Sequence, residues 1–288
     1  MNTVVITIIS LSVTGALSGF ILYLIAQKFK VFEDPRIDDV EAVLPGANCG
    51  GCGYPGCRGF AESCVKAETL DALFCPVGGN DGMVIVAEAL GKVAVAKDPL
   101  VAVIRCSGSP DHRVRTLLYD GAGTCEIASG LFSGDTACSY GCLGLGDCVV
   151  VCTFDAIHMN PATLLPEVID EKCTSCGACV KACPKTIIEL RKRSKKDRKI
   201  FVSCVNRDKG AVAKKACSVA CIACKACVKA CEFDAITIEN SLAWIDPVKC
   251  TLCRKCVTVC PTESILEINF PLRKVKEAEP AVSEIIAN

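Results

Sequence analysis

Two stretches of this chain have almost the same cysteine spacing, and that spacing leaves few folds open. Cys173-x2-Cys176-x2-Cys179-x3-Cys183-Pro184 is followed 77 residues later by Cys250-x2-Cys253-x2-Cys256-x3-Cys260-Pro261. Upstream of each, Cys138, Cys142, Cys148 and Cys152 match Cys217, Cys221, Cys227 and Cys231 at an offset of 79. The flanks repeat as well: Phe154-Asp155-Ala156-Ile157 returns as Phe233-Asp234-Ala235-Ile236. Two copies of one small module therefore stand in tandem.

The chain holds 25 cysteines in 288 residues. An odd number, most of them two or three residues apart, excludes a disulfide framework: close neighbours rarely bridge to each other but converge well on a metal. Three cysteines at two-residue intervals wrap one face of an iron-sulfur cube. The fourth, expected at the start of a helix and pointing away, serves a second cube. Each module thus predicts two [4Fe-4S] clusters with exchanged fourth ligands. In the second module the sets are Cys221, Cys224, Cys227 and Cys260, and Cys250, Cys253, Cys256 and Cys231. In the first, Leu145 stands where the repeat calls for a cysteine, and Cys138 is the nearest substitute. The expected sets there are Cys138, Cys142, Cys148 and Cys183, and Cys173, Cys176, Cys179 and Cys152.

A further group, Cys49-x2-Cys52-x4-Cys57 with Cys75 beyond it, is laced with Gly50, Gly51, Gly53 and Gly56 and reads as a fifth [4Fe-4S] site. Glycine lets the backbone approach a cluster and aim N–H groups at its sulfurs. Zinc, which also accepts four thiolates, is the alternative for every group, but its sites are usually built from separated pairs. Five clusters use 20 cysteines and leave Cys64, Cys106, Cys125, Cys204 and Cys217. The last four could make a sixth cluster. Equivalent positions in tandem modules are expected to lie apart, so these read as buried free thiols.

Before the cysteines, Thr3 to Ala26 is a run of 24 residues without a charge. As a helix it spans about 36 Å, enough to cross a bilayer. No basic residue precedes it, as a signal peptide requires. Lys28 and Lys30 follow it, which places the rest of the chain on the cytoplasmic side of the cell membrane. The run has no ionisable group that could relay a proton or bind an ion. The fold expected is α+β: a transmembrane anchor (1–30), a polar linker (31–48), a small helical [4Fe-4S] domain (49–80), a connecting region (81–131), two ferredoxin-like modules (132–200 and 201–270) and a charged tail (271–288). Within the connecting region, 83–97 reads as helix and 100–104 as a strand.

Equal numbers of basic and acidic residues, 32 each, give no net field to draw in nucleic acid. No G-x-G-x-x-G follows a strand, so dinucleotide chemistry is assigned to partners. His112 and His158 stand apart and read as ordinary polar residues. Arg191 to Lys199 holds seven basic residues in nine and reads as the tip of a hairpin, either a solvated turn or a docking patch for an acidic ferredoxin.

A single N-terminal span, then Cys-Gly-Gly-Cys-Gly-Tyr-Pro-Gly-Cys at 49 to 57, then ferredoxin modules, resembles the B subunit of the Rnf complex over nearly the whole chain. The resemblance implies a membrane-bound assembly that moves electrons between soluble ferredoxin and NAD, coupled to sodium or proton transport. It implies that this subunit is where electrons from ferredoxin enter, and that other subunits of the complex are its partners. The chain departs from the shortest members by its second module and by the Cys106 to Cys125 insertion. A membrane-anchored polyferredoxin serving another reductase, or a zinc-stapled interaction protein, are the competing readings.

Overall fold

The computed structural model describes residues 3–29, 33–131 and 134–271. Most of the expected tail, from residue 272 on, lies outside the described residues, as do residues 30–32 at the junction of anchor and linker. Helix α1 (Thr3–Lys28) is apolar on every side and long enough to cross a membrane. Several of its hydroxyls are turned back on the helix: Thr14 Oγ1 donates to the Ser10 carbonyl at 2.9 Å and Ser18 Oγ to that of Thr14 at 2.9 Å. Polar groups satisfied within the helix suit a lipid environment, which offers no partners.

The stretch expected as linker is helical instead. α2 (Arg36–Val43) packs on α3 (Gly56–Lys66) and α4 (Gly79–Leu90). Ile37, Val40 and Leu44 join Phe60, Leu70, Met83 and Val86 in one core. Only a few apolar residues of α2 turn inward, so its sequence is mostly polar and mimics a linker. Arg58 ties α3 to α2, bonding Asp38 at 3.0 Å, Glu41 at 2.7 Å and also Glu33. The helix expected over 83–97 ends early, at Gly91, whose left-handed conformation (φ 62°) stops it.

The first module begins earlier than the repeat suggests. Strand β1 (Leu100–Ile104) pairs antiparallel with β4 (Ile188–Lys192), enclosing the hairpin β2 (Ile157–Met159) and β3 (Pro166–Val168). In the second module β5 (Lys199–Val202) pairs with β8 (Ile265–Ile268) around the hairpin β6 (Ile236–Glu239) and β7 (Leu242–Ile245). First strand on last, middle two together: the plan is the same twice. Short helices α5 (Cys125–Leu131), α6 (Asp147–Val150), α7 (Ala178–Ala182), α8 (Gly210–Ala216), α9 (Ala226–Ala230) and α10 (Lys255–Thr258) complete the two modules.

The basic stretch between β4 and β5 is not the tip of a hairpin, because the two strands belong to different sheets. Four of its seven basic residues are moreover held in ion pairs within the chain. Arg191 is 4 % exposed and bonds Glu189, Lys192 meets Asp98 at 2.7 Å, and Arg193 meets Asp197 at 2.7 Å. Lys199 is buried with Asp170 of the first module at 2.6 Å, and Asn269 Nδ2 donates to the same carboxylate at 3.2 Å. This pair fastens one module to the other. Removing one partner of a buried pair leaves an uncompensated charge, a cost of about 3–5 kcal/mol. Asp170→Ala is therefore expected to lower the thermal midpoint of the anaerobically purified chain in detergent. The double replacement Asp170→Leu with Lys199→Met should recover most of that loss, since no buried charge is left behind.

Candidate iron-sulfur sites

In the first group the loop before α3 brings Cys49 and Cys52 to one cavity, the first turn of α3 adds Cys57, and Cys75 closes it from the segment before α4. Asn48 Oδ1 accepts the backbone N–H of Cys57 at 2.7 Å and fixes the loop. The Gly78 N–H points at Cys75 Sγ at 3.4 Å. Cys64 lies behind this wall, fully buried in the helical core, and burial pushes its thiol up to about 11.

In the four ferredoxin-type runs a residue in the left-handed region opens a short helix: Gly146 before α6, Gly177 before α7, Lys225 before α9 and Arg254 before α10. The helix then carries the third cysteine inward, and Cys148, Cys179, Cys227 and Cys256 are all buried. The fourth cysteine does not stand at a helix start, as the spacing leads one to expect. It lies just past the helix end, as Cys183 and Cys231 do at the C-caps of α7 and α9. A turn of helix between the third and fourth cysteines is what separates their directions. Cys231 joins Cys250, Cys253 and Cys256 around one cavity. Cys227 is close enough to Cys221, Cys224 and Cys260 for their charges to disfavour its ionisation. Cys179 stands in the same relation to Cys173, Cys176 and Cys152.

The remaining site differs from expectation. Cys142, Cys148 and Cys183 share a cavity with Cys125, not Cys138. Cys125 begins α5, and the Asp147 carboxylate accepts its N–H at 2.9 Å and that of Glu126 at 3.2 Å. The backbone N–H of Leu145, the position where the repeat lacks a thiol, bonds the Cys125 thiol. Cys138 faces another cavity, with Cys106, Cys204 and Cys217. Local spacing carries no signal for Cys125, because it stands 17 positions before Cys142. His112 and His158 are surface residues, bonded to Ser218 Oγ at 2.9 Å and paired with Glu167 at 3.6 Å.

Burial, reinforced by neighbouring cysteines, pushes the Cys179 and Cys256 thiols up to about 12. Crowded thiols without countercharge resist ionisation unless cationic iron takes the place of their protons. Among the described residues no three His, Cys, Asp or Glu side chains gather as a single metal ion requires. The cysteines ring cavities instead, with N–H groups turned to their sulfurs: Ala102 to Cys173 at 3.5 Å, Ala156 to Cys152 at 3.4 Å. Both features fit cubes and their N–H···S bonding.

Comparison with known proteins agrees. Residues 44–77 match a family model described as an Fe-S cluster, and residues 136–187 and 220–264 match the 4Fe-4S dicluster domain. The chain is 45 % identical to the B subunit of the Na(+)-translocating ferredoxin:NAD(+) oxidoreductase complex of Acetobacterium woodii, over 85 % of this chain and 72 % of that protein. It is 38 % identical to the B subunit of the proton-translocating ferredoxin:NAD(+) oxidoreductase complex of Clostridium ljungdahlii, over 85 % of each chain. It is 39 % identical to the B subunit of the ion-translocating oxidoreductase complex of Methanosarcina acetivorans, over 86 % of this chain and 93 % of the relative. With an apolar N-terminal helix and repeated [4Fe-4S] modules in that order, the chain belongs to the family of Rnf B subunits, the iron-sulfur electron-transfer subunits of ion-translocating ferredoxin:NAD oxidoreductases.

Proposed function

We propose that this chain takes electrons from reduced soluble ferredoxin at its second module and delivers them to other subunits of the complex from its N-terminal domain. The part after α1 then lies on the cytoplasmic side. The observation that carries this reading is exposure. Among the described cysteines only Cys224 and Cys253 are exposed, and both lie in the module farthest along the chain from α1. Surface ligands let a partner's redox centre come close.

Five [4Fe-4S] clusters fit the residues. Their ligands are Cys49, Cys52, Cys57 and Cys75; Cys125, Cys142, Cys148 and Cys183; Cys152, Cys173, Cys176 and Cys179; Cys221, Cys224, Cys227 and Cys260; and Cys231, Cys250, Cys253 and Cys256. Such a cluster, when bound, takes up and gives back one electron, at a potential set by hydrogen bonding and exposure. The chain's own residues hold the thiolates, shield them and aim N–H donors at them. Lys225 and Lys249 stand exposed beside Cys224 and Cys250, a positive rim for an acidic partner.

Iron and acid-labile sulfide on protein prepared without oxygen test the ligand sets. Cys125→Ala is expected to lose roughly four iron atoms per chain, whereas Cys64→Ala loses none. Full iron content in Cys125→Ala would return the fourth-ligand question to its start.

The entry point is tested by charge reversal. Lys225→Glu with Lys249→Glu should slow reduction by ferredoxin at low ionic strength by about tenfold or more, with the difference shrinking as salt is added. Lys192→Gln, whose ammonium already pairs with Asp98, should leave the rate unchanged. An unaltered rate in the double variant contradicts entry at this module.

A further inference from the structure

Cys106, Cys138, Cys204 and Cys217 remain outside the five sets, yet they line one cavity. Each is at most partly exposed, and Cys138, Cys204 and Cys217 are buried. Cys106, Cys204 and Cys217 also lie outside both family-model matches. The geometry points to a sixth [4Fe-4S] site held by these four thiols, a junction to which each module contributes two ligands.

The site is built to receive sulfur-bound iron. Cys106 Sγ accepts the backbone N–H of Cys142 at 3.5 Å and that of Gly108. Cys204 Sγ accepts N–H groups from Asn206, at 3.4 Å, and from Cys221. Cys217 accepts the Val219 N–H. Cys138 Sγ lies 3.5 Å from Nδ2 of Asn206, a side chain only 1 % exposed. Gly108 passes between two of the ligands: a Cβ there would stand 3.5 Å from Cys217 Sγ and 3.7 Å from Cys106 Sγ. Arg113 adds a positive charge beside Cys106 and Cys217. Every thiol therefore has a donor, the same N–H···S pattern as at the other sites.

Equivalent positions are expected to lie apart, and in this fold they meet. Cys106 follows β1 as Cys204 follows β5, and Cys138 matches Cys217 in the repeat. Ser107 Oγ bonds Ser203 Oγ at 2.7 Å beside them. Contacts between matching residues are what packing about a two-fold axis produces. The two modules thus face each other with matching ends, and the cavity lies at the join.

The position gives the site its role. It touches the Cys142 site through the Cys142 N–H and the Cys221 site through the Cys221 N–H. It joins the two modules, passing one electron at a time from the reduced site on one side to the oxidised site on the other. This role rests on the five-site reading above.

Iron, sulfide and zinc analysis of the full chain, purified within its complex without oxygen, tests it. Wild type should hold roughly 24 iron atoms per chain, and Cys106→Ala or Cys204→Ala roughly 20. Folded variants at these cysteines with wild-type iron overturn the site, as does loss of one zinc in place of iron. Cys125→Ala in the same series separates the two readings. A loss there with none at Cys106 or Cys204 defeats the junction alone, and no loss there defeats the ligand sets beneath it. Should the cysteine variants not fold, Asn206→Leu keeps all four thiols. It should retain iron while lowering the midpoint potential of one cluster in an EPR-monitored titration; potentials that all stay in place overturn the proposal.

Discussion

Thiols packed into an apolar interior repel each other once ionised, and the architecture is organised around that constraint. The core of the second module contains Cys204, Cys217, Cys221, Cys227 and Cys256 among Ala213, Ala220, Ala243 and a few isoleucines. Few large side chains fill it. Burial above all pushes the Cys204 and Cys256 thiols up to about 12. Exchanging the protons of several thiols for iron relieves that repulsion, which couples cluster loading to folding. The low aromatic content, 5 %, follows directly. Space that a conventional domain fills with phenylalanine goes to cysteines and to the cavities they ring.

The same constraint explains the strands. A ladder of three to five residues is marginal by itself. Each sheet has only two strands, and the outer pair, β1 with β4 or β5 with β8, joins the two ends of a module. Cysteines sit just outside these ladders, so the sheet sets the directions from which ligands arrive. Arg105 extends the join: its guanidinium donates to the Val202 carbonyl at 3.2 Å and the Cys204 carbonyl at 3.2 Å, and pairs with Glu189 at 3.1 Å. One buried cation thereby links β1, β4 and the end of β5.

What can be read from the sequence is what depends on neighbours along the chain. Three cysteines on one turn, the duplicated runs and the apolar helix are local patterns, and the structure places them as such. The fourth thiol of the cavity beside Leu145 is not local. Cys125 reaches it because Asp147 anchors the start of α5, a contact across 22 residues that no spacing rule contains. Proximity in sequence points to Cys138, but it lines the cavity of Cys106, Cys204 and Cys217 instead. The module starts earlier than the repeat indicates because β1 has no cysteine to mark it. The basic stretch misleads because composition shows charge but not the acidic partners folded against it, such as Asp170, which lies 29 residues before Lys199.

The contacts between sites form a single series. Gly51, within the first ligand loop, presses so closely on Cys176 that a Cβ would stand 2.7 Å from the Cys176 carbonyl oxygen. The N-terminal site is thereby seated against the Cys173 run. Cys179 of that run senses Cys148 across the first module, and Cys256 senses Cys227 across the second. The cavity of Cys106, Cys138, Cys204 and Cys217 touches both halves. The duplication of one module produced two pairs of sites, and a series results only where the copies meet at matching ends. A chain with the same cysteine runs but a rigid spacer between modules would keep its clusters and lose this continuity. The segment between β4 and β5 instead buries Arg191 and Lys199 at its two ends, and the Lys199 to Asp170 pair holds the two copies together across the join.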